Sequence, residues 1–534
     1  MKIGESESKS FFAWSGWRHA AEGCLTAVVR SPSALLYALC ILFTCTVFFL
    51  SWNQPILDQH GFRQTQTAVS VYWGIVDGWK LAYETPILGA PWSVPFEFPI
   101  FQWLVSFVWK WTALPLDNCG RLTSFVFFVG SSWIVVRMLR SLRVRTTSSL
   151  LAGSMFLLAP VCLFWGRAFL IESCALFFSL WYLAVAIPMV QSTSESSSLR
   201  WNLQLLLCTV LAVVAALTKI NTFVVPGLLV AFFATERLLT QTSIREALAN
   251  ASIRRMAFAC IFPLFVALAF TLYWVHFSDW VKFKNPIATA LTSGTLTKWN
   301  FGTVDQRFSS DLWVKAILKR SIPESVGTIG FAVALIFTVF FARGRELALI
   351  LIFFAAYLTV FLLFPNLQII HNYYQYSAAV WLICGVAIAL GQSSKRQALV
   401  FVVAVAFAVG GQLVTLSRGY AKVMELSIDA INSRPLALAS AVKSMSQPSD
   451  VILIYGLDWS SELAYYSERR TITVPNWGDL FASSFAQREN LAKPFKATLV
   501  VRCDDSGGEG LASVIRAAAS APSVDIDKCE ISKI

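Results

Sequence analysis

Charge is scarce in this chain of 534 residues: Asp, Glu, Lys and Arg make up 14% of it, while 56% of residues are apolar. That balance excludes an ordinary soluble domain and assigns most of the chain to a bilayer. Histidine is rarer still, at four residues, and neither an HExxH nor a CxxC pair occurs. The spacings that mark a zinc protease or a structural zinc site are therefore missing. No internal repeat is visible, and low-complexity sequence is confined to a short Ser-rich loop at 192–198. Some thirty residues with Lys2, Lys9, Arg18 and Arg30 precede the first apolar run, and no small-residue cleavage site follows it. A removable signal peptide is not expected, and 1–33 reads as a cytoplasmic N-terminus.

What is present is a series of apolar runs long enough to cross about 30 Å of hydrocarbon. They fall near 34–52, 121–137, 149–166, 169–190, 202–218, 220–235, 257–275, 325–342, 346–364, 376–391 and 397–416, which predicts an α-helical polytopic membrane protein with about eleven transmembrane helices. The stretch 99–114 is short, carries Lys110, and holds Trp103, Trp109 and Trp111; such a segment is expected to lie in the interface. That choice puts Arg137, Arg140, Arg143, Arg145, Arg237, Arg245, Arg254, Arg255, Arg343, Arg345, Lys395 and Arg396 on the side of the N-terminus. By the positive-inside rule that side is cytoplasmic. The first outer loop (53–120), the 276–324 loop, the 365–375 turn and the tail are then extracytoplasmic.

From about 417 the chain changes character. The tail carries thirteen Lys/Arg and fourteen Asp/Glu, so the basic excess of +12 belongs to the membrane part and reports topology, with no nucleic-acid partner implied. Runs at 451–455, 471–474 and 498–501 read as buried strands, with helical stretches near 460–467, 479–492 and 509–521 between and after them. A small extracytoplasmic α/β domain over 417–534 is expected. Cys503 and Cys529 both fall in it, where an oxidising compartment permits a disulfide but the spacing leaves pairing open.

The ionisable residues gather at the outer ends of the apolar runs. Asp58, His60 and Arg63 sit in Asp58-Gln-His-Gly-Phe-Arg-Gln-Thr-Gln-Thr67, just after the first run. A carboxylate there can deprotonate a hydroxyl, or it can cap a helix beginning at Gly61 or Phe62. Arg63 suits bidentate contact with a phosphate or carboxylate, although an arginine at this depth can also snorkel to headgroups. Glu97 lies between two prolines in Pro95-Phe-Glu-Phe-Pro99. Glu172 opens an apolar run and wants a cationic partner, for which Arg63 or Lys219 is better placed than Arg167. Lys219, between two apolar runs, and His371, Tyr373 and Tyr374 can contact a lipid-linked phosphate or sugar, or serve as interface anchors.

This ordered set, Asp58 through Thr67, Glu97-Phe-Pro99, Arg167 with Glu172, Leu217-Thr-Lys219 and His371-Asn-Tyr-Tyr374, resembles the GT-C glycosyltransferases over roughly 34–400. The branch it looks most like holds lipid A aminoarabinose transferases and protein O-mannosyltransferases. The resemblance implies a transmembrane catalytic domain over 34–416 that moves a sugar from a polyprenyl-phosphate donor to an extracytoplasmic lipid, glycan or protein acceptor, in a bacterial inner membrane. It assigns catalysis to Asp58, as base, and Glu172, and donor or substrate binding to Arg63, Lys219, Glu97, His371, Tyr373 and Tyr374. Two departures stand out: Phe98 replaces a lysine that often follows the acid, and Glu172 replaces an aspartate. No cofactor is certain; a divalent cation would require Asp58, Glu97 and Glu172 to converge. The alternatives are a polyprenyl-lipid flippase or transporter, whose sites would sit near the bilayer midplane, and an envelope assembly protein.

Overall fold

The computed structural model describes residues 31–192, 198–240, 250–392, 398–429, 433–476 and 480–534. Nearly all of the expected cytoplasmic N-terminus, most of the Ser-rich loop, and the basic residues Arg245, Lys395 and Arg396 lie outside them.

Among the described residues, eight helices are long and apolar enough to cross a membrane, or nine if one bent pair counts as a span. They include Pro32–Leu50, Leu116–Ser141, Glu172–Gln191, Ala251–Lys282, Gly344–Leu363 and Ala398–Arg418. The two spans expected at 202–218 and 220–235 form one helical run, Ser198–Leu239, broken at Lys219 by an extended backbone (φ −165°, ψ 100°). Its 42 residues would measure about 63 Å if straight, twice the hydrocarbon thickness. The break therefore divides it into two halves, each of span length.

Two other expected spans are changed by single residues. The run at 149–166 is interrupted: helix Thr146–Leu158 stops at Ala159, whose backbone is pushed out of the helical region (φ −58°, ψ 122°) by the following Pro160. The run at 325–342 yields only Thr328–Phe341, which meets Asp311–Val326 at 89°. The corner is Gly327, at φ +70°, where a Cβ would stand 2.9 Å from the backbone of Gly411. Only glycine allows both that turn and that approach.

The segment expected in the interface is a 13-residue helix, Ile100–Thr112, about 20 Å long and short of a crossing. It buries Phe101, Gln102 and Val105 against the protein and turns Phe107 and Trp111 outward, as a helix lying on a membrane surface does.

The C-terminal part is an α/β unit built on a five-stranded sheet, β1 (Asp450–Tyr455), β2 (Arg470–Thr473), β3 (Lys496–Cys503), β4 (Val524–Ile526) and β5 (Cys529–Lys533), in the order β2-β1-β3-β5-β4. The three strands read from sequence are parallel; of the β4–β5 hairpin, not anticipated, β5 pairs antiparallel with β3 and β4 pairs antiparallel with β5. Cys503 and Cys529 face each other across β3 and β5 and are joined by a disulfide. The sheet is not isolated. Val451, Leu453 and Ile472 share one apolar core with Ile56, Val69, Trp73, Leu88 and Phe101 of the first loop. Amides of Thr471 and Thr473 donate to the Pro86 and Ile87 carbonyls, so first-loop backbone covers the open edge of β2.

Candidate active site

Where the first loop, the chain after Lys282 and the 365–375 turn meet, they enclose a cavity of about 560 Å³. Six of the eight expected site residues line it: Arg63, Glu97, Lys219, His371, Tyr373 and Tyr374. Asp58 and Glu172 do not.

Arg63 enters from the first turn of helix Gly61–Val76 and donates to Glu97 Oε1 at 2.7 Å. Glu97 is held by its proline-bounded segment, which is hydrogen-bonded on three sides. Trp274 Nε1 donates to the Phe96 carbonyl at 2.9 Å, the Tyr83 hydroxyl donates to the Glu97 carbonyl at 3.0 Å, and the Phe98 amide donates to the Leu217 carbonyl at 3.2 Å. That last bond couples the Glu97 segment to the break at Lys219. Lys219 Nζ is ion-paired with Glu172 and lies 4.4 Å above the Tyr374 ring. Glu172 is the first residue of its helix, where the positive end of the macrodipole favours a carboxylate. The partner it needed is thus Lys219, one of the two cations expected for it.

Asp58, expected as the base, is buried behind the cavity wall. Its side chain is 1% exposed. One carboxylate oxygen accepts from Gln64, the other accepts from Arg167 Nη2 at 3.1 Å, and Arg121 Nη2 stands 3.9 Å away. Nor is it the helix cap: His60 occupies that position with a left-handed backbone (φ 54°) and no side-chain bond to the helix. Arg121 also donates to the carbonyls of Ser51, Gln54 and Pro55, so the Asp58 cluster fastens the turn after the first helix. These partners are 63 and 109 positions away, beyond any local sequence signal.

Sequence reasoning missed Lys282. It ends an apolar helix beside Lys284, a pattern that reads as an interface anchor. In the fold it lines the cavity, is 5% exposed, and has its Nζ 4.9 Å from the Phe96 ring centroid. Phe96 also lies 5.7 Å from the Arg63 guanidinium, so two cations share one ring. Among the described residues Lys282 makes no ion pair, unlike Arg63 and Lys219. Asp279, also missed, lines the same cavity and accepts from the Ser293 amide at 2.9 Å.

His371 and His60 face each other with ring centroids 4.8 Å apart. Burial, reinforced by His60, Arg63, Arg320 and Lys219, pushes the His371 imidazole down to about 3. Burial lowers His60 as well, against an opposing hydrogen bond from Asn372. Both rings are neutral at physiological pH. The three carboxylates considered for a divalent cation are each tied to a different base: Asp58 to Arg167, Glu97 to Arg63, Glu172 to Lys219. Among the described residues no group of three His, Cys, Asp or Glu is placed to hold a metal ion.

A helical membrane bundle, a first loop folded over one end of it and a small C-terminal α/β unit give the chain the GT-C fold. Solved structures of that fold superimpose over most of the chain. ArnT from Cupriavidus metallidurans, bound to undecaprenyl phosphate, matches with a TM-score of 0.63 at 14% identity, over 93% of this chain and 97% of its own. The oligosaccharyltransferase AglB from Archaeoglobus fulgidus, in complex with an inhibitory peptide and a dolichol-phosphate, matches at 0.55 and 12% identity, over 89% and 69%. No protein-family model and no curated protein sequence matches the chain.

Proposed function

We propose that the chain is an integral membrane glycosyltransferase that moves one sugar from a polyprenyl-phosphate donor to an extracytoplasmic acceptor, in a bacterial inner membrane. One observation carries the reading: a cavity lined by three cations, Arg63, Lys219 and Lys282, of which Lys282 makes no direct ion pair among the described residues and feels Asp279 and Glu97 only at longer range. A buried ammonium without a direct ion pair is costly until an anion comes into contact with it, and a lipid-linked phosphate is the anion a membrane enzyme of this fold would bring. The location supports transfer over transport. Lys219 breaks two span-length halves, so the cavity sits at an end of the helices, whereas a flippase would hold its charges near the midplane.

In the reaction the bond between the anomeric carbon and the phosphate oxygen breaks, and the acceptor oxygen bonds to that carbon while its proton passes to the departing phosphate. The electron pair leaves with the phosphate, where Lys282, Arg63 and Lys219 offset the growing negative charge. Glu97, facing the cavity beside Arg63, is positioned to hold sugar hydroxyls. Asp58 acts through Arg167, Arg121 and Gln64 to fix the turn from which Arg63 projects. Purified protein incubated with a panel of polyprenyl-phosphate sugars should release undecaprenyl phosphate from one of them as a new glycoside forms. Absence of turnover across the panel, with no stabilisation by undecaprenyl phosphate, would refute the reading.

A further inference from the structure

A second cavity, of about 470 Å³, adjoins the first and is walled mainly by the C-terminal unit. The two share Phe62, Trp299, His371 and Trp459. Their chemistry differs. The first is cationic; the second presents carboxylates, and of its charged residues Arg434 is paired with Asp504 at 2.9 Å while Asp458 accepts from the Asn476 amide at 3.0 Å. Glu462 alone has no side-chain or backbone partner for its carboxylate among the described residues. Burial pushes that carboxyl up. Its Oε1 lies 2.8 Å from where a Cβ on residue 61 would stand, so glycine there leaves the space the carboxylate occupies.

We infer that this second cavity is the acceptor subsite and that it takes a saccharide, with Glu462 accepting hydrogen bonds from its hydroxyls. The inference rests on the glycosyltransferase reading and names the acceptor class. A sugar ring offers an apolar C–H face and a set of donor hydroxyls; Trp299, Trp459 and Phe62 supply flat apolar surface for the first, and an unpaired carboxylate accepts from two of the second. The volume falls in the usual range for small-ligand sites, about 300–1,000 Å³. The shared aromatic wall places a sugar hydroxyl next to the donor phosphate without exposing the phosphate to the acid.

The test uses full-length protein in detergent with two probes: an array of tethered oligosaccharides alongside tethered peptides, and undecaprenyl phosphate followed by native mass spectrometry. Wild type should be retained on a subset of glycans. Glu462→Gln, which keeps size, should weaken that retention roughly 10- to 100-fold, and Ser460→Trp, which fills the cavity, should abolish it. Both variants should keep undecaprenyl phosphate binding and melting temperature. Retention on peptides instead of glycans, no glycan retained by wild type, or retention that survives both substitutions overturns the inference. If undecaprenyl phosphate binds while glycans do not, the acceptor subsite alone fails; if glycans bind and undecaprenyl phosphate does not, the donor reading alone fails.

Discussion

Arg63–Glu97 and Arg167–Asp58 are the same chemical pair in two surroundings. The first is 14% and 23% exposed and lines the cavity; the second is 2% and 1% exposed and does not line it. A pair that borders water can exchange its partner for a substrate phosphate at modest cost, because solvent screens the charge left behind. A fully desolvated pair cannot, because removing either partner strands a buried ion. Position in the first loop is shared by Asp58 and Glu97, and what separates the two carboxylates is their exposure.

The comparison breaks most visibly at Arg167. Arg167→Met should lower stability by about 3–5 kcal/mol, read as a large drop in melting temperature in detergent, with activity lost alongside. Asp58→Asn should follow the same path. If Asp58→Asn instead lowered turnover with an unchanged melt, Asp58 would belong with the open residues.

On the open side, Lys282→Ala should weaken undecaprenyl phosphate binding about 10- to 100-fold, the loss of one charge-assisted contact, with little change in melting. Lys219→Ala should weaken binding and also destabilise, since it leaves Glu172 uncompensated. Equal melts for the two variants would mean that Glu172 does not depend on Lys219.

Acid sharpens the comparison through the histidines. The native-state pKa of His371 lies near 3, below the ordinary value of about 6.5. Between those values the unfolded chain binds the extra proton, so stability is complete above about 6.5 and is lost as pH falls toward 3. Moving from pH 7.5 to 5 should cost about 2 kcal/mol, and His371→Gln should flatten that slope. A melt equally pH-dependent in the variant would assign the effect elsewhere.

The smallest effect belongs to Lys80, 60% exposed and 3.0 Å from Glu84. Lys80→Ala should change stability by no more than about 0.5 kcal/mol and leave donor binding intact. A larger loss in the melt would mean that the Arg470–Glu84 contact depends on Lys80.

Legibility followed the range of the physics. The Glu172–Lys219 pair could be anticipated because an acid opening an apolar helix must find a cation, and Lys219 was one of few at that end of the bundle. The apolar runs and the strands β1 to β3 were readable from local hydrophobicity alone. The corner at Gly327 and the stop before Pro160 were written in single residues inside otherwise uniform runs, where composition outweighs them. Asp58 was assigned by its place in the chain, yet its surroundings include Arg121 and Arg167, which only the fold brings near. Lys282 escaped because what distinguishes it is burial without a direct ion pair among the described residues, and a sequence does not record which neighbours come close. The β4–β5 hairpin was hidden by brevity: Val524–Ile526 is three residues long with an aspartate at its centre.

The core shared by the first loop and the C-terminal sheet has a consequence in time. Residues 53–120 leave the ribosome early, but the surface that buries Ile56, Leu88 and Phe101 includes Val451, Leu453 and Ile472, made more than three hundred residues later. At translation rates of about 5–20 residues per second, the loop that carries Arg63 and Glu97 waits roughly 20 seconds or more with its apolar face unclosed. The last fifth of the polypeptide thus finishes what the first fifth begins, and a chain halted near residue 420 would carry Arg63 and Glu97 on a loop that has not yet folded.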